Sequence, residues 1–192
     1  RSERPEIIRY LRTLGKTMTR FLQDILRQPD EMHGALKFLS GAGRVRLEEA
    51  ANAIRNAPSS YLTGIGASWN AALSASMLFH LGARAVYLQD AAELLHFSTL
   101  PPGAVVAVIS RSGRSIEIVK LLAKARDCGA TVIGITNSED GPLAREASIP
   151  LIVPATLDHG ISVNTYSTLA IAAAALASVT TGVFDSDLVQ SM

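Results

Sequence analysis

Ser110, Arg111, Ser112, Gly113, Arg114 and Ser115 place three hydroxyls, two guanidinium groups and a glycine in one short run. An apolar, β-branched stretch from Val105 to Ile109 precedes it, and Ile116, Val119, Leu122 and Ala123 begin a helical period after it. The pattern is that of a buried strand, a polar turn and a helix. Such a turn aims several backbone N–H groups, and the positive end of the helix dipole, at one spot above the sheet edge. Hydroxyls there can donate to the oxygens of an anion, and Gly113 lets the backbone approach closely. The chemistry implied is the binding of a phosphate-sized anion. The same spacing also suits a plain helix cap, with Ser112 or Ser115 on the first-turn N–H groups and Glu117 complementing the dipole.

Other candidate groups are more ambiguous. GIGAS, at residues 64 to 68, partly matches a dinucleotide fingerprint but has Trp69 where the third glycine belongs. Its shallow turn suits a small anion such as a phosphosugar. His33, His80, His96 and His159 lack metal-ligand spacing and read as ordinary surface or core histidines. Glu93 and His96 lie three apart on an expected helix, where they either assist proton transfer or simply solvate that face. Asp158 and His159 precede a loop, Gly160 to Asn164, that starts the last helix and opens on the side where a ligand would sit.

The elements that must position these residues follow an alternating rhythm from Ser60 onward. Strands are expected at Tyr61–Ile65, Ala85–Leu88, Val105–Ile109, Thr131–Thr136 and Ile149–Val153. Helices are expected from Trp69 to Leu81, around Ala91 to Phe97, from Ile116, near Leu143 to Glu146 and along the alanine-rich Leu169–Val179 segment. This alternation predicts α/β architecture: a three-layer, flavodoxin-like fold with a five-stranded parallel sheet and right-handed crossovers. The ligand crevice would lie beyond the strand C-termini, flanked by the first and third strands. Upstream, Met18–Leu26 shows helical spacing that Pro29 is expected to stop, and Met32–Leu39 begins a second short helix. Leu47–Ile54 marks a third helix, ended by Pro58. Residues 1–58 thus read as an N-terminal helical arm with a frayed start over 1–16. Residues 59–182 read as the binding domain, and 183–192 as a tail.

Composition narrows the function classes. Eighteen basic and 17 acidic side chains leave a net charge of +1, so nothing global favours nucleic acid or an anionic membrane. A single cysteine, Cys128, excludes an internal disulfide and a multi-cysteine metal site, which points to the cytoplasm. No signal pattern is visible at the N-terminus, and the most apolar stretch is too short to cross a bilayer. Neither a cofactor nor a metal is expected. The chain starts on Arg1 and stops soon after an apolar helix, as one domain of something longer would.

ISRSGRSIE resembles the I-S-x-S-G-x-[ST]-x-E signature of sugar isomerase (SIS) domains. The resemblance extends over most of residues 17–180. FLQDILRQPDEMHGAL is similar to the helical lead-in of the group that includes the isomerase half of glucosamine-6-phosphate synthases. GIGAS is similar to that group's C-G-T-S turn, AAELLHF to its A-S-E-F segment, ITNSEDGPLAREAS to its I-T-N…A-R-E-A-D segment, and GISVNTYSTLA to its closing loop and helix. The resemblance implies that Ser110, Ser112 and Ser115 bind a sugar phosphate, with the Arg111 backbone and Gly113 beside them. It further implies that Ala67 and Ser68 line the sugar and that Ile161 and Ser162 close over it.

Ala67 stands where the family has a threonine, Val163 where it has a serine, and Thr165 where it has a lysine. The family's isomerase unit is two copies of this domain, with the general-base glutamate on the first crossover helix of the second copy. Here no Asp or Glu occurs from Trp69 to Tyr87. The chain therefore resembles the first copy, and its catalytic residues are unassigned: a second SIS domain, or a homodimer partner, would supply glutamate, lysine and histidine. The implied partner is a phosphorylated sugar or amino sugar, in an aldose/ketose isomerase or a deglycase. An alternative is a non-catalytic sugar-phosphate sensor in a regulator, although the first helices lack a basic helix-turn-helix character. A third is a structural half-domain that serves dimerisation.

Overall fold

The computed structural model describes residues 19–183; the expected frayed start, Met18 and the tail beyond residue 183 lie outside them. Thr19 caps the first helix, α1 (Arg20–Ser40), its Oγ1 accepting the Leu22 N–H at 3.2 Å. Pro29 does not end this helix: α1 runs through it to Gly41, merging two segments expected to be separate. The proline forfeits one backbone bond, to the Ile25 carbonyl, at a cost of about 3 kcal/mol in a helix interior. Both Pro29 and Ile25 face solvent, so water can take the orphaned carbonyl. The opposite face, with Asp24, Ala35 and Leu39 buried, is held by the rest of the molecule on either side of the proline. Tertiary packing, rather than local propensity, sustains the helix. The second helix, α2 (Arg44–Asn56), buries Leu47, Ala50, Ala51 and Ile54 and ends ahead of Pro58.

Five parallel strands follow: β1 (Ser60–Thr63), β2 (Tyr87–Leu88), β3 (Val105–Ile109), β4 (Thr131–Thr136) and β5 (Ile149–Ile152). Their order is β2-β1-β3-β4-β5, the doubly wound arrangement expected from the alternation. The crossovers are α3 (Ala67–Leu81), α4 (Ala91–Phe97), α5 (Ile116–Asp127) and α6 (Pro142–Glu146), and the chain closes with α7 (Asn164–Thr181).

The apolar run of β3 is explained by its two covered faces. Val105, Ala107 and Ile109 join a core shared with α1, α2, α3 and α7, in which Phe79 is the largest fully buried side chain. Val106 and Val108 face the other way, against Leu94 of α4, Ile118, Leu121 and Leu122 of α5, and Leu143 of α6. The result is three layers, and burial of a side chain such as Phe79 contributes about 2–3 kcal/mol. Because Ala35, Leu39, Leu47 and Ile54 belong to the same core as the sheet, α1 and α2 are packed into the domain. They carry side chains to the C-terminal edge of the sheet.

Candidate functional site

Three loops meet at that edge. The first is the serine turn between β3 and α5. Ser110 is buried and its Oγ accepts the Gly113 N–H at 3.1 Å, while Ser112 Oγ accepts the Arg114 N–H at 3.3 Å. Both bonds shape the turn itself. Ser115 occupies the N-cap position of α5, yet its side chain makes no capping bond. Helix capping therefore does not account for it, and its hydroxyl stands beside first-turn N–H groups that have no partner within the helix.

The turn is locked from behind. Gly113 has φ +62°, and a Cβ there would lie 2.6 Å from Leu143 Cβ; a Cβ on Gly141 would lie 2.3 Å from the Ser112 carbonyl oxygen. Backbone is thus packed on backbone at the start of α6. From the β4 side, Thr136 Oγ1 donates to the Arg111 carbonyl at 3.1 Å and the Asn137 N–H reaches the same oxygen at 3.3 Å.

A cavity of about 360 Å³ opens above these loops. Arg111 and Ser112 form one wall, Asn137 and Ser138 after β4 form the floor, and residues 157–160 after β5 form the other wall. Asn137 Nδ2 donates to the Val153 carbonyl at 2.9 Å and to Thr168 Oγ1 at 3.1 Å, which fixes the orientation of the amide. Its Oδ1 is buried with no hydrogen-bond partner.

The β5–α7 loop is tethered from three directions. Asp158 accepts the Asn164 N–H at 2.8 Å, the Thr165 N–H at 3.0 Å and the Thr165 hydroxyl at 2.6 Å, capping α7. Burial pushes the Asp158 carboxyl up, but the Thr165 hydroxyl and the N–H groups of Asn164, Thr165 and Val163 together outweigh it and hold the carboxyl below its ordinary value. From α1, Asp24 accepts the His159 N–H at 2.9 Å and lies 2.9 Å from His159 Nδ1, while Glu31 accepts the Thr156 N–H at 3.0 Å. Asp24 and Glu31 are two helical turns apart on one face, so this grip depends on α1 continuing past Pro29. The His159 backbone N–H is the main influence keeping the Asp24 carboxyl below its ordinary value, against the opposing effect of burial; the His159 ring and the charge of Arg27 add to it. Across the cavity, Arg111 Nη1 donates to Ser162 Oγ at 2.9 Å.

The expected site residues are therefore placed unequally. Arg111 and Ser112 line the cavity; Ser110, Gly113 and Ser115 share their turn; Ser162 is joined to Arg111. Ile161 is 70% exposed beside it. Ala67 and Ser68 are the first two residues of α3, which begins before the expected Trp69, and they do not line the cavity. This cavity lies on the β4–β5 side of β3. Glu93 and His96 are both exposed and outside its wall. Asp24, Asn137, Ser138 and Leu157 were not singled out as site residues. Asp24 gave no local signal, being one acid on an amphipathic helix whose partner is 135 residues away. Among the described residues no cluster of His, Cys, Asp or Glu is arranged to hold a metal, and no helix is long and apolar enough to cross a membrane.

A doubly wound parallel sheet with a polar cavity at its C-terminal edge defines the class: an α/β domain of the kind that takes ligands at that edge. A SIS domain family model matches residues 53–180, so the chain belongs to the SIS domain family. It is similar to the glutamine–fructose-6-phosphate aminotransferase (isomerizing) of Pyrobaculum aerophilum, at 26% identity over 157 residues that cover 81% of this chain and 26% of that protein. It is also similar to an uncharacterized HTH-type transcriptional regulator of Caldanaerobacter subterraneus, at 35% identity over 109 residues covering 56% of this chain and 39% of the regulator. Among solved structures, the C-terminal domain of glucosamine-fructose-6-phosphate aminotransferase from Francisella tularensis superposes with a TM-score of 0.78 at 19% identity, covering 91% of this chain and 51% of that one. The chain spans well under half the length of these two curated relatives.

Proposed function

We propose that this chain is a phosphosugar-binding SIS domain, one half of an aldose/ketose phosphosugar isomerase or of an amino-sugar or fructosamine phosphate deglycase. The observation that carries this reading is Ser115: an N-cap hydroxyl not used for capping, beside the α5 N-terminus, in a turn that also lines a polar cavity. A phosphate there meets hydroxyls, backbone N–H groups and the helix dipole together. Held by its phosphate, the sugar extends toward Asn137, with Ser162 and Ile161 over it. Phosphate binding remote from the reacting carbons supplies orientation rather than chemistry.

Moving a proton between C1 and C2 needs a carboxylate base. The first crossover helix, α3, offers none, and Asp158 is committed to α7. We assign the base to a second SIS copy, fused or in a homodimer, in the cytoplasm. In this reading residues 59–182 carry the site, 1–58 are a helical arm and 183–192 a tail. The test is calorimetry with fructose 6-phosphate. Micromolar binding that Ser112→Ala weakens tenfold or more, about 1.4 kcal/mol, supports the site; unchanged affinity in Ser112→Ala overturns it.

The similarity to a transcriptional regulator favours a second reading, a sugar-phosphate sensor. Tight binding with no isomerisation by NMR, even with every SIS copy of the native protein present, would establish the sensor.

A further inference from the structure

Helices α3 and α7 carry no Asp, Glu, Lys or Arg over Ala67–Leu81 and Asn164–Thr181, whereas each of the other described helices has at least one. The two pack side by side on one face of the sheet. At their C-terminal ends Gly82 fits against Thr181, and a Cβ there would lie 2.2 Å from the Thr181 Cβ. Their inner sides are sealed in the core, through Ala72 and Phe79 of α3 and Leu169 and Leu176 of α7. Their outer sides are apolar too. Leu73, Met77 and Leu81, spaced by four along α3, are 39%, 58% and 77% exposed. Tyr166, Ala170 and Ala174, spaced likewise along α7, are half-buried. The exposed polar side chains of α3 are Asn70, Ser74 and His80. A helix at a solvent boundary ordinarily puts charged groups on its outer side, and two adjacent helices without a fixed charge leave an apolar face.

We propose that the outer sides of α3 and α7 are the contact for a second copy of this chain, related to the first by a two-fold axis. The occupant follows from charge. A two-fold axis sets side chains near it against their own symmetry mates, so a fixed charge there would face a like charge; a face without one is self-complementary. A different protein would be selected by complementary charges, and an anionic membrane by Lys or Arg, and this face has neither. Its size agrees. At about 1.5 Å per residue, and with helices about 8–10 Å apart, the face is about 25 Å long and about 20 Å wide, a projection of about 500 Å². That exceeds the roughly 400 Å² per partner of incidental contacts and approaches the roughly 800 Å² of a stable interface. Both helices start at the C-terminal edge of the sheet, so the contact reaches the edge at which the cavity opens. That the partner supplies the carboxylate base rests on the phosphosugar reading above; the contact itself does not.

Sedimentation equilibrium over about 1–100 µM is expected to show the wild-type chain as a dimer. Met77→Arg puts a guanidinium from each copy into the contact and raises the dimer Kd at least about 100-fold. Phe97→Arg, at an 86% exposed apolar position on α4 across the sheet, leaves that Kd within about threefold. Far-UV circular dichroism of Met77→Arg should match the wild type, since the position is exposed in the single chain. Leu81→Glu gives the same loss of dimer and decides the matter if Met77→Arg does not fold. A wild type that is monomeric at about 100 µM overturns the proposal, and so does a dimer that survives both Met77→Arg and Leu81→Glu. Calorimetry with fructose 6-phosphate on the wild-type dimer separates the two readings. Failure to bind overturns the phosphosugar reading, while dissociation in Met77→Arg still supports the contact.

Discussion

Arg111 and Ser162 are hydrogen-bonded at 2.9 Å, Nη1 to Oγ, across 51 residues of chain. The bond joins the turn after β3 to the loop before α7, and so sets the width of the cavity between them. Both groups are at the surface, where such a bond contributes about 0.5–1.5 kcal/mol. Ser162→Ala is expected to leave the thermal midpoint within about 2 °C of wild type. It should weaken fructose 6-phosphate binding about three- to tenfold, because a loosened loop must be ordered on binding. Differential scanning fluorimetry and calorimetry on the same sample check both halves.

The acid limb of stability should follow Asp24 and Asp158. Each is held below the ordinary carboxylate value of 3.8 in the folded chain. The unfolded chain therefore binds protons first as the pH drops. Their contribution is complete above the ordinary value and is lost as pH falls through the lowered folded values. Urea midpoints should be level from about pH 7 to pH 5 and decline steeply below about pH 4. Asp158→Asn should flatten that decline; an unchanged slope would dissociate it from this carboxyl.

Gly113→Ala should destabilise the fold. The position needs φ +62°, and the added methyl would sit 2.6 Å from Leu143 Cβ. Left-handed backbone costs about 1–2 kcal/mol for a residue with a Cβ, and forcing an atom into a packed contact costs about 1–3 kcal/mol more. Chemical denaturation should show a loss of at least about 2 kcal/mol, with phosphosugar affinity falling as the serine turn shifts.

Pro29→Ala should act in the opposite direction. It restores the donor for the Ile25 carbonyl in the middle of α1 and removes an exposed ring. A gain of about 1–3 kcal/mol is expected in urea titration. A loss instead would mean that the proline sets a bend needed for Asp24 and Glu31 to reach the loop.

Much of the sheet was readable because strand and helix signals are local. The run Val105–Ile109 has the composition of a strand covered on both faces, and Thr131–Thr136 likewise; both strands have the limits expected for them. Errors arose where a local rule met a distant contact. Pro29 was expected to stop a helix, and packing across the opposite face of α1 carried the helix past it. The helix after β1 was expected from Trp69 and begins at Ala67.

By itself the sequence determined the α/β alternation, the strand order it implies and the serine turn ahead of α5, since each follows from the period and chemistry of neighbouring residues. Tertiary structure alone decided that Ser115 is uncommitted, that the cavity lies on the β4–β5 side, and that His159 is joined to a buried carboxylate. Asp24 and His159 are 135 residues apart. No periodicity links them; they meet because α1 and α7 pack on the same face of the sheet, which brings the α1 carboxylate beneath the loop that leads into α7.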